Sequence, residues 1–455
     1  MNMNILDKVL EIYQRYYICP DCLGRMFALL GTNTTNFERA YSLLLSLTLE
    51  NHRLFLENKL NGENNTLSNL KVLAENAKFL PAQKVMEKEG LDFSLSNSTT
   101  KCYLCNNIFL DLQLYVDKAI EKTKEYEFNT FLCGTALDSK IVNREDNFKA
   151  EFTLLESESF KNHFNREIGK LLSMALNKAP EFENPDLVII FSLGFEQVSI
   201  ELIVRSLFIF GRYNKIIRGI PQTRWPCRKC QGKGCERCDF TGKQYETSIE
   251  QLINPLFIKE SNAADSKFHG AGREDIDVRM LGNGRPFILE LKKPKIRNLD
   301  LNYLEKEVNK IQSGKLKISN LKYSDKKEVI SIKAKSENTK KVYSALVYAE
   351  EPLDNINFEQ KLNLLKNIIE NKKIYQQTPN RVSHRRADII REKHIYKING
   401  EFVNSNLFKF TIETQGGTYI KELINGDNGR TKPSFSEIFN NNLICKELDV
   451  IDIKE

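Results

Sequence analysis

Residues 268–287 read Phe268-His-Gly-Ala-Gly-Arg-Glu-Asp-Ile-Asp-Val-Arg-Met-Leu-Gly-Asn-Gly-Arg-Pro-Phe287, and this stretch decides the fold of the second half. From residue 276 to 280 apolar residues alternate with polar ones, which predicts a strand that carries Asp275 and Asp277 on one face. The preceding glycines favour a tight turn, and Asn283-Gly284 predicts a hairpin that leads into the next strand. The sequence therefore places carboxylates at a turn-to-strand junction.

A carboxylate at such a junction is a candidate for catalysis. Arg273 precedes Asp275 by two residues, and a nearby positive charge favours the ionised form that a nucleophile needs. The alternative interpretation of one isolated Arg-Glu-Asp is a structural ion pair in a hairpin. Motifs elsewhere in the chain bear on the choice.

Three separated motifs resemble the signatures of pseudouridine synthases. Gly272-Arg-Glu-Asp275 resembles the family's Gly-Arg-x-Asp, and Lys341-Val-Tyr-Ser-Ala-Leu-Val347 resembles its Lys-x-Tyr-x-Ala-x-Val strand. Gly417-Thr-Tyr-Ile-Lys421 is similar to the Gly-Thr-Tyr-Ile-Arg segment of the TruB branch. The longer strings, among them residues 378–388, most resemble the Pus-ten (archaeal PsuX) tRNA pseudouridine synthases, and the resemblance covers nearly the whole chain.

The resemblance implies a reaction and its residues. Members of this family isomerise uridine to pseudouridine in tRNA, and the implied targets are the T-loop uridines at tRNA positions 54 and 55. Asp275 takes the place of the catalytic aspartate, and Tyr343 takes the place of the tyrosine that lies against the target base. Lys421 takes the place of the basic partner of the aspartate, although the TruB branch has arginine there, which forms two parallel hydrogen bonds where lysine cannot. Attack on the sugar and attack on the base both remain open.

A flipped nucleotide needs contacts that recover its unstacking energy, and clustered guanidinium groups supply such contacts to phosphate. The alternative for any run of charges is a solvated surface. The predicted RNA-binding residues are Arg273, Arg381, His384, Arg385, Arg386 and Arg391.

Composition agrees with this interpretation. The chain has 455 residues, with 67 Lys+Arg against 60 Asp+Glu and a net charge of +7, so an RNA surface must come from local clustering. No apolar run reaches the roughly twenty residues of a membrane span, and the N-terminus lacks a signal-peptide pattern. We therefore expect a cytoplasmic protein without a membrane or protein partner, and the family resemblance implies tRNA as its partner.

Eight of the ten cysteines form four Cys-x-x-Cys pairs, a spacing that presents two thiolates to one tetrahedral ion. In a reducing cytoplasm zinc is favoured over disulfides, with redox pairs or free thiols as the alternative. Spacing favours a site in residues 227–238, whereas the first set closes only if the chain folds back, as the family resemblance implies. We expect one or two structural zinc ions and no cofactor for the chemistry. The predicted ligands are Cys19, Cys22, Cys102 and Cys105, and Cys227, Cys230, Cys235 and Cys238.

The patterns predict an α+β fold that divides near residue 250. Residues 1–250 resemble a zinc-bearing, THUMP-like α/β accessory region that binds tRNA, and residues 251–455 resemble a pseudouridine synthase domain with a mixed sheet. Alternation predicts strands at Leu187–Leu193, Glu328–Ala334 and Val342–Ala349, among others.

Two other functions compete with this one. Asp277 followed by Glu290-Leu-Lys292 has the Asp…Glu-x-Lys order of a metal-dependent nuclease, in which acidic residues hold Mg²⁺ and lysine assists water. The cysteine-rich half alone is also compatible with a zinc-stapled RNA-binding protein that has no catalytic activity.

Overall fold

The computed structural model describes residues 4–61, 67–95, 101–195, 197–335 and 339–454, except for the side chains of residues 58–61 and 385. The chain forms two compact units, Met1–Val204 and Arg205–Glu455. Each unit has its own hydrophobic core. None of the described helices is long and apolar enough to cross a membrane.

The first unit combines helices with a four-stranded sheet. Ser159 begins the helix Phe160–Leu176 by accepting a hydrogen bond at Oγ from the Asn162 amide, and Asn177 ends it in the left-handed conformation. The helices are α1 (Ile5–Arg15), α2 (Pro20–Met26), α3 (Asn36–Asn61), α4 (Leu67–Glu75), α5 (Leu80–Lys88), α6 (Leu112–Thr123), α7 (Ser139–Glu151) and α8 (Phe160–Leu176). The strands are β1 (Thr130–Leu137), β2 (Ala179–Pro180), β3 (Leu187–Leu193) and β4 (Val198–Val204).

The sheet of the first unit has the order β2-β1-β3-β4. Strand β1 runs parallel to β2 and β3, whereas β4 is antiparallel to β3. Every second residue of β3 is buried, from Leu187 to Leu193, because one face of the strand packs on the core. The strand predicted at Leu187–Leu193 is confirmed.

The second unit is built on a ten-stranded mixed sheet. Its helices are α9 (Ile249–Ser261), α10 (Leu301–Ile311), α11 (Lys326–Lys335), α12 (Asn355–Ile369), α13 (Ile420–Asn425) and α14 (Phe435–Phe439). Its strands are β5 (Leu207–Lys215), β6 (Asp265–Gly270), β7 (Arg279–Lys292), β8 (Leu316–Ser324), β9 (Lys340–Ala349), β10 (Lys372–Gln377), β11 (Ile390–Asn404), β12 (Leu407–Gln415), β13 (Thr431–Lys432) and β14 (Leu443–Lys454).

The sheet of the second unit has the order β13-β10-β11-β12-β9-β14-β7-β5-β8, and β6 also pairs with β7. The pair β14–β7 is parallel, with Asp449 opposite Arg279, and the other pairs in this sheet are antiparallel. Strand β7 is buried continuously from Gly284 to Leu289, as expected for a central strand covered on both faces. The parallel junction places the loop before β7 beside β14.

The division between the units lies at Val204 and Arg205, ahead of the predicted position near residue 250. The reason is β5, which pairs on one side with β7 and on the other with β8. Because β5 is an internal strand of the large sheet, the second set of cysteines, which follows it, also belongs to the second unit.

Two local predictions were wrong. Residues 328–334 form part of helix α11, because Asp325 accepts the Glu328 amide at 2.7 Å and caps the first turn. Asn283-Gly284 does not turn the chain, since β7 runs through it. A Cβ atom at Gly284 would lie 2.9 Å from the Tyr213 carbonyl oxygen, so this glycine permits a close approach between strands.

Candidate active site

A cavity of about 260 Å³ lies in the second unit, beside the start of β7. Asp275, Tyr343 and Lys421 all line it, so the structure brings together the three predicted catalytic residues. Arg381 and Arg386 come from the segment between β10 and β11 and line the same cavity. The wall therefore combines a carboxylate, an aromatic ring and several cations.

The residues that carry Asp275 form a loop, so the strand predicted from residue 276 to 280 begins only at Arg279. The Lys215 ammonium donates to the carbonyl oxygens of Asp275 and Ile276, each at 3.0 Å, and the Gly219 amide donates to Ile276 at 2.9 Å. These donors occupy the carbonyl groups that a strand partner would have used. The Val278 amide closes a turn on the Asp275 carbonyl at 3.1 Å.

A buried ion pair fixes the other side of this loop. The Arg285 guanidinium donates from Nε to Glu274 at 2.7 Å, and both side chains are almost completely buried. The Tyr213 hydroxyl also lies 2.9 Å from both carboxylate oxygens of Glu274, and Gln222 donates to that hydroxyl at 2.8 Å. Such a fully paired network holds the backbone of the neighbouring Asp275 in one position.

Asp275 is paired with Arg381. The guanidinium contacts an Asp275 carboxylate oxygen at 2.8 Å, while its Nε donates to the buried Glu422 at 2.5 Å. Burial would lower the pKa of Arg381, but the charges and hydrogen bonds of Glu422 and Asp275 outweigh burial and raise it. Arg381 thus links the loop of Asp275 to helix α13.

Lys421 has a different partner from the one expected. Its ammonium donates to Asp277 at 2.5 Å, and no ion pair joins it to Asp275 among the described residues. Partial burial would raise the pKa of Asp277, but the hydrogen bond and charge of Lys421 outweigh burial and lower it. Lys421 therefore pairs with Asp277, and the residue that pairs with Asp275 is an arginine from another segment.

Tyr343 lies on the central strand β9, and its ring is buried in the cavity wall. Burial raises the pKa of its hydroxyl to about 12, with the Arg285 charge opposing the rise and the Asp275 charge adding to it. The side chain is therefore an uncharged phenol at neutral pH. A flat neutral ring beside a carboxylate suits a planar base.

The arginine-rich segment contributes only part of its charge to the cavity. Arg386 donates to the Tyr419 hydroxyl at 2.7 Å, and Arg381 lies 6.0 Å from the centre of the same ring. Arg391 donates to the Thr378 hydroxyl at 2.8 Å and does not line the cavity, and His384 is exposed away from its lining. The predicted contact of Arg385 lies outside the described residues, because its side chain is not described.

Arg273 stands on the exposed side of the loop and lines the cavity. Its guanidinium lies 5.6 Å from the centre of the Trp225 ring, a cation–π distance. Gly272 beside it has φ +78°, and a Cβ there would lie 3.1 Å from an Arg285 nitrogen. Glycine is required at this position because the backbone is left-handed and closely packed.

The two sets of cysteines each come together. The four Sγ atoms of a set lie within 4.8 Å of one another. The first set is Cys19, Cys22, Cys102 and Cys105, in the first unit, and the second set is Cys227, Cys230, Cys235 and Cys238, in the second unit.

The sulfur distances test whether zinc fits. A tetrahedral ion with Zn–S bonds of about 2.3 Å holds its thiolates about 3.8 Å apart, whereas a disulfide has a bond of about 2.05 Å. Cys19 and Cys105 lie 3.7 Å apart, and Cys230 and Cys238 lie 3.8 Å apart. Backbone amides donate to the sulfurs, for example from Gly242 to Cys238 at 3.3 Å. Both sets therefore have the spacing of a closed four-thiolate zinc site.

The residues of the nuclease hypothesis have other partners. Glu290 pairs with His269 at 2.8 Å, and Lys292 pairs with Asp265 at 2.7 Å. Among the residues that the structure describes, the only groups with the geometry of a metal site are the two sets of cysteines. Asp277 pairs with Lys421, so the acidic cluster that a Mg²⁺ site requires is not formed there.

Sequence reasoning missed the supporting residues Glu274, Arg285, Lys215 and Glu422. The burial of Arg285 was predictable, because this charged residue stands at the start of a continuous apolar run and must have a partner if it is buried there. Lys215 gave a similar signal at the end of the apolar strand β5. Nothing in the sequence joins Glu422 to Arg381, since 41 residues separate them.

Comparisons with known proteins agree with the geometry. The family model described as "Pus10, C-terminal" matches residues 208–454, and the model described as "Pus10 THUMP domain, archaeal" matches residues 115–192. The tRNA pseudouridine synthase Pus10 of Methanocaldococcus jannaschii is 44% identical over 458 residues, covering 100% of this chain and 95% of that protein. The proteins of the same name from Methanothrix thermoacetophila and Pyrococcus furiosus are 36% and 34% identical, over 99% of this chain and 94% and 98% of their own lengths.

Solved structures resemble the chain more distantly. A Cbf5–Nop10–Gar1 complex matches with a TM-score of 0.28 and 16% identity, over 46% of each chain. A pseudouridylate synthase matches with a TM-score of 0.20 and 13% identity, over 57% of this chain and 73% of that one. The comparisons confirm the family predicted from the motifs and the α+β fold class with its THUMP region.

Proposed function

This chain belongs to the Pus10 family of tRNA pseudouridine synthases and is therefore an isomerase, and from that premise we propose its target and mechanism. It isomerises the T-loop uridines at tRNA positions 54 and 55, with Asp275 as the reacting carboxylate. One observation carries the proposal: Asp275 lies in one cavity with Tyr343 and several cations, on a loop that buried pairs hold rigid.

The target uridine enters the cavity by flipping out of the folded tRNA. Flipping costs a few kcal/mol of unstacking, and stacking of the base on an aromatic ring returns about 1–3 kcal/mol. Tyr343 is suited to this contact because its phenol is uncharged and its ring forms part of the wall. The remaining energy comes from phosphate contacts.

Asp275 acts on the flipped nucleotide while the bond between N1 and the sugar breaks and the base rotates. Arg381 pairs with the carboxylate at 2.8 Å and places a positive charge beside it. Asp277 lies on the same loop, and its pairing with Lys421 of α13 lowers the pKa of Asp277, which keeps a second proton donor away from the reacting carboxylate. Attack on either the sugar or the base is compatible with this arrangement.

Cationic residues around the cavity bind the tRNA backbone in this proposal. Arginines form charge-assisted hydrogen bonds with phosphate, and their contribution falls as salt rises. The THUMP region in the first unit supplies a second tRNA-binding surface. The proposed RNA-binding residues are Arg273, Arg381 and Arg386, which line the cavity, together with His384, Arg385 and Arg391 of the arginine-rich segment.

The two sets of cysteines hold structural zinc ions in this proposal. Four thiolates close the coordination shell, so zinc stabilises the local fold and leaves no position for water or substrate. The ions are therefore separate from the chemistry, which needs only side chains of the second unit.

The experiment that tests the proposed target uses unmodified tRNA transcripts. We expect the protein to form pseudouridine at positions 54 and 55 in brief incubations with EDTA, without strand breaks. Transcripts with cytidine at position 54 or at position 55 should each lose one of the two products. Modification confined to another arm contradicts the target, and cleavage instead of isomerisation favours the nuclease.

A further inference from the structure

Lys341 is a buried amine in the cavity that the mechanism above does not use. It precedes Tyr343 by two residues on β9, so both side chains lie on the same face of the strand, and both line the cavity. Only 6% of Lys341 is exposed. Among the described residues its ammonium has no hydrogen-bond or ion-pair partner, although a buried charge is normally paired.

The surroundings of Lys341 favour its uncharged form. Burial is the largest cause that lowers the pKa of its amine, the positive charges of Arg285 and Lys393 add to the fall and Glu274 opposes it, and the pKa reaches about 7 as the net result. A Cβ atom at Gly272 would lie 3.5 Å from its nitrogen, so the amine adjoins the turn that leads to Asp275. At neutral pH a large fraction of Lys341 therefore carries a free lone pair inside the cavity.

The isomerisation needs a base at one defined step. After the base has rotated, a bond forms between C5 of uracil and C1′ of the sugar, and C5 still carries its hydrogen. Removing that proton sends the C–H electron pair into a new C5–C6 double bond and shifts the electron pair of the C6–N1 double bond onto N1, which then gains a proton from the protonated base or from water. The number of protons is unchanged, as an isomerisation requires.

We propose that Lys341 is the base that removes the C5 proton of the target uracil. The inference rests on the proposed function, since it assigns a step of that reaction. Two other groups in the cavity suit the step less well. The Asp275 carboxylate already pairs with Arg381, and Tyr343 is a phenol that keeps its proton at neutral pH. The Lys341 amine accepts the C5 proton and becomes an ammonium group, which can return a proton to N1.

The test separates deprotonation from the earlier bond exchange. One transcript carries tritium at C5 of its uridines, so that release of tritium reports deprotonation. A second transcript carries 5-fluorouridine, which has no proton at C5, so that its rearrangement to the carbon-linked nucleoside reports bond exchange alone. We expect Lys341→Met to reduce tritium release about a hundredfold or more and to leave rearrangement of 5-fluorouridine within about threefold of wild type.

Three variants complete the design. Lys341→Arg should behave like Lys341→Met, because arginine keeps its proton, and Lys340→Met on the exposed side of the same strand should behave like wild type. Asp275→Asn should lose both reactions. If Asp275→Asn keeps both reactions, the proposed function is wrong, and this result does not depend on the role of Lys341.

The pH dependence of tritium release distinguishes a base from a residue that only supports the fold. In wild type, single-turnover tritium release should rise with pH through about 7, because only the neutral amine accepts a proton, and this rise should be absent from the residual activity of Lys341→Met. Tritium release within tenfold of wild type in Lys341→Arg overturns the proposal, and so does loss of both reactions in a folded Lys341→Met protein that binds tRNA.

Discussion

Breaking the buried pair of Glu274 and Arg285 by removing one partner should strongly destabilise the second unit. Both side chains are at most 2% exposed, and their nitrogen and oxygen atoms lie 2.7 Å apart. Arg285→Met leaves the Glu274 carboxylate buried, and the Tyr213 hydroxyl is then its only hydrogen-bond donor among the described residues. Removing one partner of a buried pair costs about 3–5 kcal/mol, since the remaining charge is uncompensated.

A double-mutant cycle separates the charge penalty from lost packing. Glu274→Met and Arg285→Met together remove both charges. The free energy of unfolding of the double variant should therefore fall by about 2–3 kcal/mol less than the sum of the two single effects. The Tyr213 hydroxyl then keeps the donor Gln222 but loses its acceptor, which costs about 1–3 kcal/mol. The double variant should therefore remain less stable than wild type.

Scanning calorimetry of the full chain measures these differences. For a unit of this size 1 kcal/mol corresponds to about 2–4 °C, so each single variant should lower the melting temperature of the second unit by roughly 6–20 °C. Lys292→Met is the matched control, because its ion pair with Asp265 is 43% and 62% exposed and should contribute little to stability. A melting temperature of Arg285→Met equal to that of Lys292→Met would refute the reasoning, as would strictly additive effects.

Three further predictions concern metal content, pH and the partner of the proposed nucleophile. Cys230→Ser should lower zinc from two ions to one per chain by elemental analysis, whereas Cys445→Ser, outside both sets, should keep two. Because the pKa of Lys341 falls from 10.5 to about 7 on folding, the unfolded chain binds more protons between these values. The free energy of unfolding of wild type minus that of Lys341→Met, from urea titrations, should thus rise with pH across that window and stay flat below it. Arg381→Met should reduce single-turnover pseudouridine formation about a hundredfold, because Asp275 loses its cation. Arg386→Met should mainly weaken tRNA binding. Equal effects of the two variants on the single-turnover rate would contradict this assignment.

Local sequence patterns predicted structure correctly where no other local preference opposed them. The alternation of Leu187–Leu193 predicts β3, and the alternation of Val342–Ala349 predicts most of β9. The paired cysteine spacings predict the cluster in residues 227–238, the family resemblance implies the other cluster, and both form. In each case the side chains that define the pattern are the ones that pack or meet.

Predictions failed where a tertiary contact or a cap overrode the pattern. Alternation after Asp275 does not produce a strand, because Lys215 and Gly219 take the carbonyl groups of that segment. Residues 328–334 alternate enough for a strand, yet the Asp325 cap starts a helix. Neither Lys215 nor Gly219 adjoins its target in sequence, so the override is visible only after folding.

The candidate site was predictable residue by residue but not in its pairing. Motifs located Asp275, Tyr343 and Lys421, and the structure gathers them around one cavity. The ion pairs differ from the expectation, because Arg381 reaches Asp275 and Lys421 reaches Asp277. Pairing depends on how separate segments pack against one another, which a motif does not encode.

The central claim is that Asp275 performs the isomerisation, and a single-turnover comparison of wild type with Asp275→Asn tests it most directly. Both proteins are saturated with the same tRNA transcript, so that binding is matched, and pseudouridine is counted after digestion. We expect Asp275→Asn to bind tRNA within about threefold of wild type and to form product at least about a thousandfold more slowly. Pseudouridine formation by Asp275→Asn at a rate near that of wild type would contradict the account.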